Sequence, residues 1–115
     1  MPGFLDDQAV SNQLQADLGA TNATIAPRWS QVVTSANLTA WNRIQETFLE
    51  RGFTAAQILT WDNGPTYQMK IALYLALTEG GNLHTNTIDP VYIESCKWYF
   101  DKLPDALLVA GGAIN

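Results

Sequence analysis

Residues 50–64 read ERGFTAAQILTWDNG, and this stretch decides how the chain folds. Gly52 can adopt the left-handed conformation that closes a helix, and Phe53 is placed for the apolar contact that accompanies such a stop. Thr54 and Gln57 have capping-box spacing, in which the hydroxyl and the carboxamide satisfy free N–H groups of a new helix. That helix carries Ile58, Leu59 and Trp61 inward, then ends at Asp62-Asn63-Gly64, and Pro65 opens another. The pattern is a sharp corner that sets two long helices side by side.

Upstream of the corner, a helix is expected to start near Pro27. Trp29, Val33, Ala36, Ala40, Ile44 and Phe48 recur at spacings of three and four and form its apolar face. Leu38, Trp41 and Leu49 lie beside that face, so contact from more than one side is expected. Arg43 and Glu46 make a favourable i,i+3 pair, while Glu46 and Glu50 mark a solvated flank.

Downstream, a helix over about residues 65–79 contains Ile71–Leu77, IALYLAL, the longest uninterrupted apolar run in the chain. Apolar residues all round its circumference require enclosure on nearly every side, so this helix is the expected centre of the fold. Gly80-Gly81 terminates it, and the polar loop NLHTNT follows. Asp89 and Pro90 supply N-cap and first turn of the last helix, with Ile88 stapled onto Ile93. Its inner stripe is Ile93, Cys96, Phe100 and Leu103, with Tyr92 and Tyr99 alongside. Lys97 lies between Glu94 and Asp101 on a flank that faces water. Pro104 is expected to stop this helix.

At the other end, Asp6 is a good N-cap for a short helix bearing Val10, Leu14 and Leu18, with Gly19 as its stop. Residues 1–5 have no such frame and are expected to be mobile until docked. The expected architecture is therefore all-α, a small bundle of about four to five helices. It comprises one helical domain over residues 1–103 and an extended C-terminal tail over 104–115.

Composition bounds the role. A chain of 115 residues with 47% hydrophobic content can fold as one domain. Only 15% of residues are charged, against roughly 25% in ordinary soluble domains, so much of the surface is neutral and suits contact with neighbours. The net charge of −5 and six scattered basic residues offer no run that could track a phosphate backbone or an anionic membrane. No bilayer-length apolar segment and no secretory leader are read. One cysteine, Cys96, precludes an internal disulfide.

The search for chemistry returns no enzyme. His84, the single histidine, reads as a solvated loop residue, and Cys96 reads as a small buried hydrophobe. Asp6-Asp7 and Asp62 are explained by capping and turn formation, and Glu46 and Glu50 by solvation. Gly80-Gly81 follows a helix rather than opening one, the wrong context for a phosphate cradle. No catalytic residue, metal ligand or cofactor is assigned.

The runs WNRIQETFLERGFTAAQILTWD, residues 41–62, and QMKIALYLAL, residues 68–77, are similar to sequences of the helical head–tail connector (adaptor, or neck) proteins of tailed bacteriophages. The likeness extends from Trp29 to Asp101 and is carried by packing and capping motifs. It implies a structural virion subunit, made in the host cytoplasm. In such a particle it would assemble with copies of itself into a ring, typically of twelve, at the neck between capsid and tail. The implied partners are the portal protein above and stopper or tail proteins below, with DNA as passive cargo through the lumen. Connectors of this kind attach to the portal through terminal segments, so Leu107, Leu108, Val109 and Ile114 are the implied docking residues. This chain lacks the basic tail of some relatives. A ring of twelve would carry about −60, a charge that disfavours adhesion of DNA. The alternative reading is a non-viral helical module that binds one other protein.

Overall fold

The structure, a computed structural model, describes residues 3–18, 26–78 and 90–114, with side chains described for 3–17, 30–78 and 90–104. It contains α1 (Asp7–Leu18), α2 (Ala26–Leu49), α3 (Ala55–Ile58), α4 (Gly64–Leu77) and α5 (Pro90–Ile114). No strand occurs among the described residues. The expectations for His84, for Gly19 and Gly80-Gly81 as helix stops, and for Ile88 and Asp89 at the start of α5 fall outside the described residues.

The corner between α2 and α4 forms as the sequence requires. Gly52 has φ +87°, the left-handed region. Its N–H donates to the Leu49 carbonyl (3.0 Å), and the Phe53 N–H donates to the Phe48 carbonyl (3.3 Å). These two bonds together make a Schellman motif, and the Phe48 and Phe53 rings supply its apolar contact edge to face at 5.5 Å. The capping box is complete: the Gln57 N–H donates to Thr54 Oγ1 (3.2 Å), and the Thr54 N–H donates to Gln57 Oε1 (2.8 Å). Thr54→Ala is expected to cost about 1 kcal/mol of stability. Urea unfolding would register this as a lower midpoint at unchanged slope.

Ile58 and Trp61 are buried, but Leu59 is about half exposed, contrary to the inward position expected of it. The reason is the length of α3. A single turn presents only one narrow face to the core, and residues 58 and 61, three apart, occupy it.

α4 is the enclosed helix. Tyr67, Gln68, Ile71, Ala72, Leu73, Leu75, Ala76 and Leu77 are all buried, and only Tyr74 of the IALYLAL run is partly open. Packing from α2, α5 and α1 covers it. The inner face of α2 supplies Val33, Ala36, Ala40, Ile44 and Phe48, and α1 supplies Val10 and Leu14. From α5, Cys96 and Leu103 are buried, whereas Ile93, Tyr99 and Phe100 are partly buried against the core. A ladder of rings runs through the bundle, from Phe48 to Trp61 (5.4 Å), Trp61 to Tyr67 (5.0 Å) and Tyr67 to Tyr99 (5.0 Å).

One expectation about the last helix is corrected: Pro104 does not end it. α5 continues through it to Ile114, so the segment expected to be extended has helical backbone. Proline removes one helical N–H and crowds the preceding turn, a local cost of about 3 kcal/mol. Three anchored turns before it and the strong helix formers Ala106, Leu107 and Leu108 after it outweigh that cost.

Residues 3–5, expected to be mobile until docked, are docked on α2 and α4 by a set of hydrogen bonds described below. Asp6 then caps α1 as anticipated, its Oδ1 accepting from the Ala9 N–H at 2.9 Å.

Candidate functional site

Among the described acidic and nucleophilic residues, Glu46 and Glu50 line one groove with Asp101, and the others have separate settings. Asp6 caps α1, and Asp62 is exposed in the turn before α4. Asp7 accepts from Thr34 Oγ1 (3.0 Å) and Asn37 Nδ2 (3.0 Å), which ties α1 to α2. Cys96 is wholly buried, and burial pushes its thiol up, partly offset by the Lys70 charge and a Ser95 hydrogen bond. A neutral thiol in that setting is a packing group. No set of three His, Cys, Asp or Glu side chains with metal-binding geometry occurs among the described residues.

Three surface features remain. The first is a groove of about 350 Å³ where α5 passes the C-terminal half of α2, lined by Arg43, Glu46, Glu50, Phe100, Asp101 and Pro104 among others. Arg43 lies over the Phe100 ring, 4.2 Å from its centroid, so the guanidinium serves as a cation–π bridge between the two helices. The second is a scatter of outward apolar side chains: Leu38 and Leu49 on α2, Leu59 after α3, and Val91 and Trp98 on α5. Val91 and Trp98 are seven apart and share one face of α5. Trp98 is half exposed.

The third feature was not read from the sequence. Asn37 of α2 and Gln68 of α4 are both fully buried, and Gln68 Nε2 donates to Asn37 Oδ1 at 2.8 Å. Together they hold the backbone of the N-terminal segment. The Phe4 N–H donates to Gln68 Oε1 (2.9 Å), and the Leu5 carbonyl accepts from Asn37 Nδ2 (3.0 Å) and Gln68 Nε2 (3.5 Å). Phe4 stacks edge to face on Trp41 at 5.7 Å. A signal was present: Asn37 interrupts the apolar face of α2 between Val33 and Ala40, and Gln68 precedes an otherwise apolar run. Buried carboxamides need partners, and only another segment of chain could supply them.

Leu107, Leu108, Val109 and Ile114 stand on the helical backbone beyond Pro104, with their side chains outside the described residues. No helix of the described residues is long and apolar enough to cross a membrane.

No family model, curated protein or solved structure matches this chain.

One consequence of the burial is measurable. Tyr92 on α5 donates to Asp17 Oδ2 of α1 at 2.5 Å, and burial, then that hydrogen bond, push its phenol far above the usual value. Burial, then the nearby Tyr99, also raise Tyr67, and Cys96 is raised as described above. In the unfolded chain such groups ionise from roughly pH 8.5 to 10, while the folded chain keeps its protons. Their contribution is therefore fully present below about pH 8.5 and is lost as the pH rises further. The melting temperature should be level near neutrality and fall above about pH 9, less steeply in Tyr92→Phe. A melting temperature that climbed above pH 9 would contradict this linkage.

Proposed function

We propose that this chain is a structural subunit of a tailed-phage neck, a head–tail connector that forms a ring beneath the portal and lengthens the DNA channel. The reading starts from the resemblance of residues 41–62 and 68–77 to sequences of that family. In the structure these runs are the C-terminal half of α2, the corner and α4, the part of the fold that positions everything else.

Two further properties support it. The described surface presents large apolar side chains on α2, after α3 and on α5, as a subunit with neighbours on several sides requires. The last helix is 25 residues against 14 for α4, so α5 is about 16 Å longer than the helix it packs on. On this reading the part of α5 after Pro104, which carries Leu107, Leu108, Val109 and Ile114, is the segment that meets the portal.

The test is truncation after Pro104. Helicity per residue and the cooperativity of melting should survive, while co-assembly with portal rings, followed by electron microscopy, should be lost. Collapse of the fold would make the segment part of the core, and retained assembly would place the portal contact elsewhere. As a passive conduit, the chain should also show no tight DNA binding at moderate salt, and salt-resistant binding would contradict that role.

A further inference from the structure

We infer that the cleft between α2 and α4 is a peptide-binding slot that reads a glycine-led turn of backbone through the Asn37–Gln68 carboxamide pair, closed in cis by the chain's own residues 3–5. The pair offers one acceptor to a peptide N–H and two donors to the following carbonyl, and Phe4 and Leu5 use them in that way. These contacts are to main chain, so they select conformation rather than side chain.

Selectivity comes from the walls. A Cβ on Gly64 would lie 2.1 Å from the Phe4 ring, so the start of α4 is hollowed to seat an aromatic side chain. Trp41 closes the other side of that seat. Gly3 has φ +67°, and a Cβ there would lie 2.3 Å from the Trp41 ring and 2.5 Å from Gln68 Oε1. Only glycine passes at that point. The slot thus takes a glycine in the left-handed conformation, then an aromatic residue.

The slot is organised independently of its occupant. Asp7 accepts from Asn37 and from Thr34, and Asn37 in turn accepts from Gln68, so both carboxamides stay aimed when residues 3–5 leave. The strap itself is only partly buried, and α1 is capped by Asp6 and anchored by Val10 and Leu14 without it. Release of the strap therefore uncovers a formed site instead of unfolding the bundle.

The experiment uses the full-length chain and the pentapeptide MPGFL, amidated at its C-terminus and labelled at its N-terminus for fluorescence anisotropy. Gly3→Val forces the strap out through its backbone strain. Phe4→Ala vacates the aromatic seat with no such strain and keeps the test valid if the first variant folds poorly. Circular dichroism checks both. Each variant should bind the peptide at least about tenfold more tightly than the wild-type chain, because a closed strap reduces apparent affinity by the fraction of open slots. The same peptide with alanine in place of phenylalanine should lose that binding. Equal affinity for wild type and both folded variants, or binding indifferent to the aromatic residue, would overturn the slot. A wild-type dimer that becomes monomeric on Gly3→Val would overturn closure in cis, since it would show the strap exchanged between copies.

Discussion

Phe48→Ala is expected to remove about 3–5 kcal/mol of folding stability, the range for deleting a fully buried aromatic side chain. Phe48 stands where the corner closes. Its carbonyl accepts the Phe53 N–H, its ring meets those of Phe53 and Trp61, and through Trp61 the contacts continue to Tyr67 on α4 and Tyr99 on α5. Truncation leaves a cavity bordered by three elements that are fixed by other contacts, so little collapse can fill it. Domains of this size have total stabilities of roughly 5–15 kcal/mol, so the loss is a large fraction of the whole. Urea unfolding followed by far-UV circular dichroism should show a much lower midpoint at unchanged slope. A loss below about 1 kcal/mol would mean that the ring lies outside the core.

The second large effect is Leu73→Asp. Leu73 is wholly buried at the centre of the run that α1, α2 and α5 enclose. A carboxylate there must either ionise without a partner or take up a proton, and both routes are costly. The expected loss exceeds about 4 kcal/mol, enough to abolish a cooperative melt at neutral pH. Thr66→Asp, on the exposed side of the first turn of the same helix, is the control. It adds a negative charge near a helix N-terminus and should be neutral or slightly stabilising. If Leu73→Asp melted within a few degrees of the wild type, α4 would be open to water and the architecture wrong.

Much of this fold was legible because its signals are local. The Gly52 stop, the Thr54–Gln57 box and the Asp6 cap are each decided within four or five residues, and each forms as read. The circumference of α4 announced its enclosure for a related reason, since apolar residues on every side of a helix have no other use. What escaped depends on distant partners. Residues 3–5 carry no periodic pattern, and their order comes from Asn37 and Gln68, 32 to 64 positions away in sequence. Pro104 was read as a stop because proline is locally unfavourable in a helix, but the helical backbone, anchored before it by Cys96 and Leu103, continues through it. Leu59 was misplaced because the brevity of α3 could not be read from its apolar residues alone.

Of the candidate functional residues, the carboxamide pair was the hardest to read. Its two polar side chains are separated by 31 positions and meet only when α2 and α4 pack.

The proposed role is tested most directly by electron cryomicroscopy of the intact particle that carries this chain. The account predicts a closed ring of copies between portal and tail, built on the α2–α4 corner, with the part of α5 beyond Pro104 against the portal. A neck whose density is filled entirely by other chains, with this one absent, would contradict it.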